Sequence, residues 1–201
     1  VKTINVKIQG TTALLQHRFG ADAQAASTKK TRAVQIKEEN PRDEAEKVCY
    51  RDREGFLYHP SASIARLLRE AGSAHKQRGS RKSLKYIVPA GVRLADDVIE
   101  LFELDGVTRK TEFEVDSRPV TIPATKGRIM RHRPIHYDWV ARFSLVINPD
   151  VLDEDVIQQL LTEGGERIGI GDFRPEKGGP FGVFLIKHWA ALEDSEPLAA
   201  E

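Results

Sequence analysis

Seven of the chain's fifteen glycines fall between Gly164 and Gly182, and Arg167, Arg174 and Lys177 are spread among them. Glycine is needed where the chain takes positive φ or where another backbone comes close. A flexible backbone with exposed N–H groups beside such cations suits phosphate or a nucleic-acid backbone. The alternative for this run, GGERIGIGDFRPEKGGPFGVF, is a turn that only lets the next segment pack tightly. Phe173 and Phe181 flank Arg174 and Lys177, so bases could stack on them; as readily, Phe181 and Phe184 are core residues of a last strand.

Two further stretches share the basic character. Residues 71–95 hold six Lys/Arg, among them Lys76, Arg78, Arg81 and Lys82, and no Asp/Glu. Residues 117–137 hold Arg118, Lys126, Arg128, Arg131 and Arg133, again without an acid. Acidic charge lies elsewhere, with six Asp/Glu and no Lys/Arg in residues 150–166. The net charge of +1 therefore averages over segregated regions, as in a near-neutral protein with a dedicated anionic partner. Tyr86, beside Lys85, is a further ring for stacking or for core packing.

Residues suited to catalysis are few. His17, in LLQHRF with Arg18 beside it, has the makings of a general base for metal-independent cleavage at an RNA 2′-hydroxyl. Asp172 is an acid or, more simply, a turn cap or a partner of Arg174 or Arg167. His132 and His136 share a strand face, but no third ligand stands near them, so no metal and no cofactor is expected. There is no P-loop, HExxH, GxSxG or two-metal carboxylate cluster, and the chain reads as non-enzymatic. The lone Cys49 excludes an internal disulfide and a cysteine-based zinc cluster, fits a reducing cytosol and reads as a small packed side chain. No apolar run reaches the ~18–20 residues of a membrane span, and the alternating VKTINVKIQG lacks the apolar core of a signal peptide. These features place the protein in the cytoplasm, away from membranes.

The elements that must position these residues follow from periodicity. Ile4, Val6 and Ile8 alternate in a strand over 3–9. Residues 20–40 have no period and read as a mobile loop. Asn40-Pro41 starts a short helix. A turn at Asp52–Gly55 precedes a short FLYH strand. Ile64, Leu67, Leu68 and Ala71 mark a helix over 61–71, with Ser61 as cap and Gly72 as stop. A strand covers 97–104, a two-stranded excursion 107–135, and a strand 138–147. A helix covers 153–163, ended by Gly164, and a strand 181–187 follows. The order β-α-β-β-α-β predicts an α+β fold, the split arrangement of ferredoxin-like and RNA-recognition domains. The chain reads as one domain over 1–201. Its core takes in 1–10, 59–104 and 138–190, with an insertion at 11–58, a basic arm at 105–137 and an acidic tail at 191–201.

This layout, with a glycine-rich loop between the second helix and the last strand and with basic excursions, resembles the RAMP superfamily of CRISPR proteins. It is most similar to the RNA-coating backbone subunit of effector complexes. The opening TINVKIQGTTALLQHRF and the closing RIGIGDFRPEKGGPFGVFLI also resemble small phage and mobile-element proteins of no settled function. The resemblance implies an RNA-recognition palm whose insertions form fingers and an arm. It implies binding of a CRISPR-RNA-like strand or single-stranded DNA, side-by-side self-association and other complex subunits as partners. The residues it implies are Gly178, Gly179, Gly182, Arg174 and Lys177 in the loop and Arg128, Arg131 and Arg133 in the arm. The acidic helix of 150–166 would face the basic arm of a neighbouring copy. The chain is shorter than most such subunits and has no aspartate assignable to target cleavage, so a non-catalytic strand binder is expected. Two alternatives remain open: a metal-independent CRISPR-RNA processing endonuclease using His17, and a phage or mobile-element assembly protein that binds no nucleic acid.

Overall fold

The first strand, β1 (Lys2–Gly10), alternates as its sequence does, with Ile4, Val6 and Ile8 buried on one face. Its two sides are taken by β8 (Val140–Ile147) and β9 (Phe184–Ala191), both antiparallel to it. The computed structural model describes residues 1–18, 40–121 and 126–192. The expected loop at 20–40 lies outside the described residues except for Asn40, as does the acidic tail beyond Leu192.

Beyond β8 lies β5 (Val98–Phe102) and then β3 (Tyr58–Pro60), so the main sheet runs β3-β5-β8-β1-β9. A short β4 (Val92–Leu94) pairs with the far end of β8, next to the stretch of β8 that β5 covers. Every strand pair is antiparallel, and the architecture is α+β.

Helices complete the core. Asn40 caps α1 (Pro41–Lys47) by accepting from the Arg42 amide, with Pro41 at the first helical position. α2 (Ala62–Ala71) buries Ile64, Leu67, Leu68 and Ala71, the residues its period selects. After a single turn, α3 (Val88–Gly91), the chain enters β4. α4 (Glu154–Arg167) buries Ile157, Leu160 and Leu161 in the same core as Ile64, Leu67 and Leu68 of α2.

Gly164 does not end α4, as its type suggests; the helix continues to Arg167. A Cβ at Gly164 would come within 2.2 Å of Leu67 Cδ2, so this glycine lets α4 lie close on α2. The last strand starts at Phe184, three residues later than the apolar run from Phe181 suggests.

The excursion after β5 forms a second sheet. β6 (Glu114–Thr121) and β7 (Arg128–His136) pair along their length, and the two-residue β2 (Leu14–Leu15) adds to the base of β7. Pro119 is tolerated because β6 is an edge strand. Among the described residues no helix is long and apolar enough to cross a membrane.

Candidate nucleic-acid interface

The glycine run sits where β1 ends, α2 begins and α4 ends. It is strapped down, not open. The Gly182 amide donates to Ala13 O at 2.8 Å, Ile170 N to Gly182 O at 3.0 Å and Asp172 N to Leu15 O at 2.7 Å. The amides of Lys177, Gly178, Gly179 and Phe181 also donate within the loop. The expected row of exposed backbone donors is therefore corrected: two of these amides hold the run against residues 13 and 15, and the others are satisfied inside the loop. Gly182 is required for this, because its φ is +73° and a Cβ there would lie 1.8 Å from Ile170 O. Gly179 likewise packs against the Phe173 carbonyl, and only Gly178, which ends the turn Pro175–Lys177, faces open space.

Below the loop lies a cavity of about 360 Å³, walled by His17, Tyr50, His59, Ala62, Ser63, Arg66, Gly169–Asp172 and Arg174. On one side Asp172 Oδ2 meets His17 Nδ1 at 3.4 Å and accepts from Arg133 Nη1 at 2.7 Å. Arg133 Nη2 reaches Asp116 at 3.3 Å, and Asp116 also takes Arg118, whose guanidinium lies 4.8 Å from the centre of the Phe181 ring. The contact from His17, and with it the hydrogen bond and charge of Arg133, lower Asp172 to about 2 against the effect of burial. Asp172 thus binds His17 and Arg133, not Arg174 or Arg167. On the other side, Glu176 bridges Arg66 of α2 and Arg174. Those two bridges, led by the hydrogen bond from Arg66, hold Glu176 below the usual carboxylate range. His59 is 4% exposed with Nδ1 unpartnered, and burial, helped by the charge of Arg174, lowers it to about 4.

The cations expected to meet phosphate divide into three groups. Arg133 is 5% exposed and engaged by two carboxylates, so the expectation that it reaches out with Arg128 and Arg131 is corrected. Side chains alternate along β7, which puts Arg131 and Arg133 on one face and Arg128 on the other. Arg131 is half-exposed and touches Glu44 of α1 at 3.3 Å; Arg128 is exposed with no carboxylate partner among the described residues. In the loop, Arg174 is tied to Gly171 O and Glu176, whereas Lys177 is exposed with no carboxylate partner among the described residues.

Lys76, Arg78, Arg81 and Lys82 form the third group. A bridge between Lys76 and Ser83 and a turn closed by Gln77 O make residues 76–83 a small hairpin whose four cations are all exposed, with no carboxylate partner among the described residues. It leaves the far end of α2, roughly 15 Å along the helix from the Ala62 end that lines the cavity. None of residues 76–83 lines the cavity. Tyr86, 77% exposed, lies just beyond it, and Phe173 is the open ring of the loop while Phe181 is buried.

His132 Nδ1 meets Ser117 Oγ at 2.6 Å, and His136 is buried beside Phe113, with neither ring nitrogen partnered. No group of three His, Cys, Asp or Glu suited to a metal occurs among the described residues. Cys49 is buried, and burial pushes its thiol up to about 12, which disfavours a nucleophilic thiolate. Arg66, His59 and Tyr50 were not picked out by sequence reasoning. A signal was available in His59-Pro60-Ser61 at the mouth of α2, because a split β-α-β order brings that mouth beside the loop before the last strand.

No protein-family model matches the chain, and no curated protein matches it in sequence. Among solved structures it is similar to a chain of the Type III-B Cmr-beta complex, seen by cryo-electron microscopy bound to cognate target RNA. The TM-score is 0.55 at 12% identity, and the match covers 94% of this chain and 60% of that one. The likeness is one of fold. This chain spans about three fifths of the length of its structural neighbour.

Proposed function

We propose that the protein binds RNA or single-stranded nucleic acid without cleaving it, as a RAMP-type subunit of a CRISPR-like complex in the cytoplasm. The observation that carries this reading is the fold likeness, over nearly the whole chain, to a chain from an RNA-bound Cmr-beta complex. The strand order β5-β8-β1-β9, with α2 and α4 as the crossovers, supports a ferredoxin-like palm. Lys177, Arg128 and the cations of the 76–83 hairpin, exposed and without carboxylate partners among the described residues, supply charge for phosphates. The exposed Asp153 and Asp155 at the start of α4 offer an outward acidic surface to the basic arm of another copy or subunit, while Glu154 is held by Lys2 and Trp189.

One observation favours a second reading. His17 lines the cavity with Nδ1 toward Asp172, and a carboxylate so placed orients an imidazole as a general base. The two readings separate when labelled single-stranded and hairpin RNAs are incubated with the protein in EDTA. Retarded, intact RNA supports the binder. Discrete products that disappear with His17→Ala would establish the nuclease in its place.

A further inference from the structure

The cavity beside the glycine run has features that strand binding in general does not explain. Two arginines from different elements, Arg66 of α2 and Arg174 of the loop, converge on it and share the single carboxylate of Glu176. Ala62 and Ser63 line it from the first turn of α2, where backbone N–H groups have no acceptor within the helix. The positive end of a ten-residue helix therefore opens into the same space. His59 forms part of the wall and is almost fully buried, with a ring nitrogen that has no partner. The cavity lining also carries Asp172, whose carboxylate contacts Arg133 and His17.

We propose that this cavity seats one phosphoryl group, gripped by Arg66, Arg174 and the first amides of α2, and that Glu176 holds the two arginines in its absence. The inference rests on the strand-binding reading above and gives it a defined phosphate subsite. Glu176 imitates the ligand: its two oxygens each take one guanidinium, as two phosphate oxygens would. When the phosphoryl group enters, Glu176 is displaced and the turn Pro175–Lys177 is freed from α2. An internal phosphodiester and a terminal phosphate would both satisfy these donors.

The test is the affinity of the full chain for a fluorescent single-stranded 12-mer RNA, made with a 5′-phosphate and with a 5′-hydroxyl, with melting curves to verify folding. Arg66→Gln should weaken binding about tenfold, the loss of a charge-assisted hydrogen bond. Glu176→Gln should tighten binding several-fold, because it frees both arginines. An equal loss on both RNAs assigns an internal phosphodiester, and a loss confined to the phosphorylated RNA assigns a terminal phosphate. Unchanged binding by Arg66→Gln overturns the proposal. So does weakened binding by a folded Glu176→Gln, which would make Glu176 only a loop clamp. If the wild type binds neither RNA, the strand-binding reading fails first. Inorganic phosphate then decides the cavity: shifts in the amide resonances of Ser63 and Gly171 that Arg66→Gln abolishes sustain it, and no shifts overturn it.

Discussion

Arg133 has the sequence surroundings of a phosphate contact, with Arg131 and Arg128 close by, yet it lies inside the protein between Asp116 and Asp172. Its partners are 17 and 39 residues away, and only strand pairing and the loop fold bring them together. Strand parity, which separates it from Arg128, was legible; the buried acids were not. His59 and His136 went unread as core residues for the same reason, because their burial depends on β3 and β7 closing over them. They carry a measurable consequence. Burial lowers His59 to about 4 and His136 to about 3, below the ~6.5 of an unfolded histidine. Between those values the unfolded chain binds protons that the folded chain does not. Stability is therefore intact above about pH 6.5 and is lost as pH falls toward 4, by up to about 1.4 kcal/mol per pH unit for each ring. Urea denaturation of His136→Leu should show a shallower pH slope than the wild type between pH 6 and 4.5; an unaltered slope would place the acid sensitivity elsewhere.

Among the elements, helices α2 and α4 and strands β1 and β8 stand close to where periodicity puts them, because each has a full apolar face. The short β4 has three residues and no alternation of its own, and it exists because the end of β8 needs a partner. The glycine run was legible as a special backbone, but its hydrogen bonds to residues 13 and 15 belong to tertiary structure. The basic hairpin of residues 76–83 was legible as charge, while its position at the far end of α2 required the fold. That position makes it a separate contact. Replacing Arg78, Arg81 and Lys82 together by alanine should reduce the salt slope of RNA binding by about 2, at roughly 0.7 per phosphate contact on a single strand. The Arg66→Gln loss at the cavity should persist in that background, since sites so far apart act independently. An unchanged salt slope would remove the hairpin from the interface.

At the scale of the molecule, the order of elements was enough to reach an α+β fold with antiparallel strands, because two amphipathic helices separated by strand pairs leave few ways to bury both. The second sheet was legible as an excursion; its attachment through Leu14 and Leu15 was not, since two residues carry no period. The net charge of +1 conceals cations placed at three separate sites, the loop, the arm and the hairpin. A strand running across more than one of them would meet several phosphates at once. The most direct test is a salt titration of single-stranded RNA binding in EDTA, with the recovered RNA checked for length. Strand binding without cleavage predicts intact RNA and a log–log slope between about −2 and −6, from three to eight phosphate contacts. No binding at low salt, a slope near zero, or shortened RNA would contradict it.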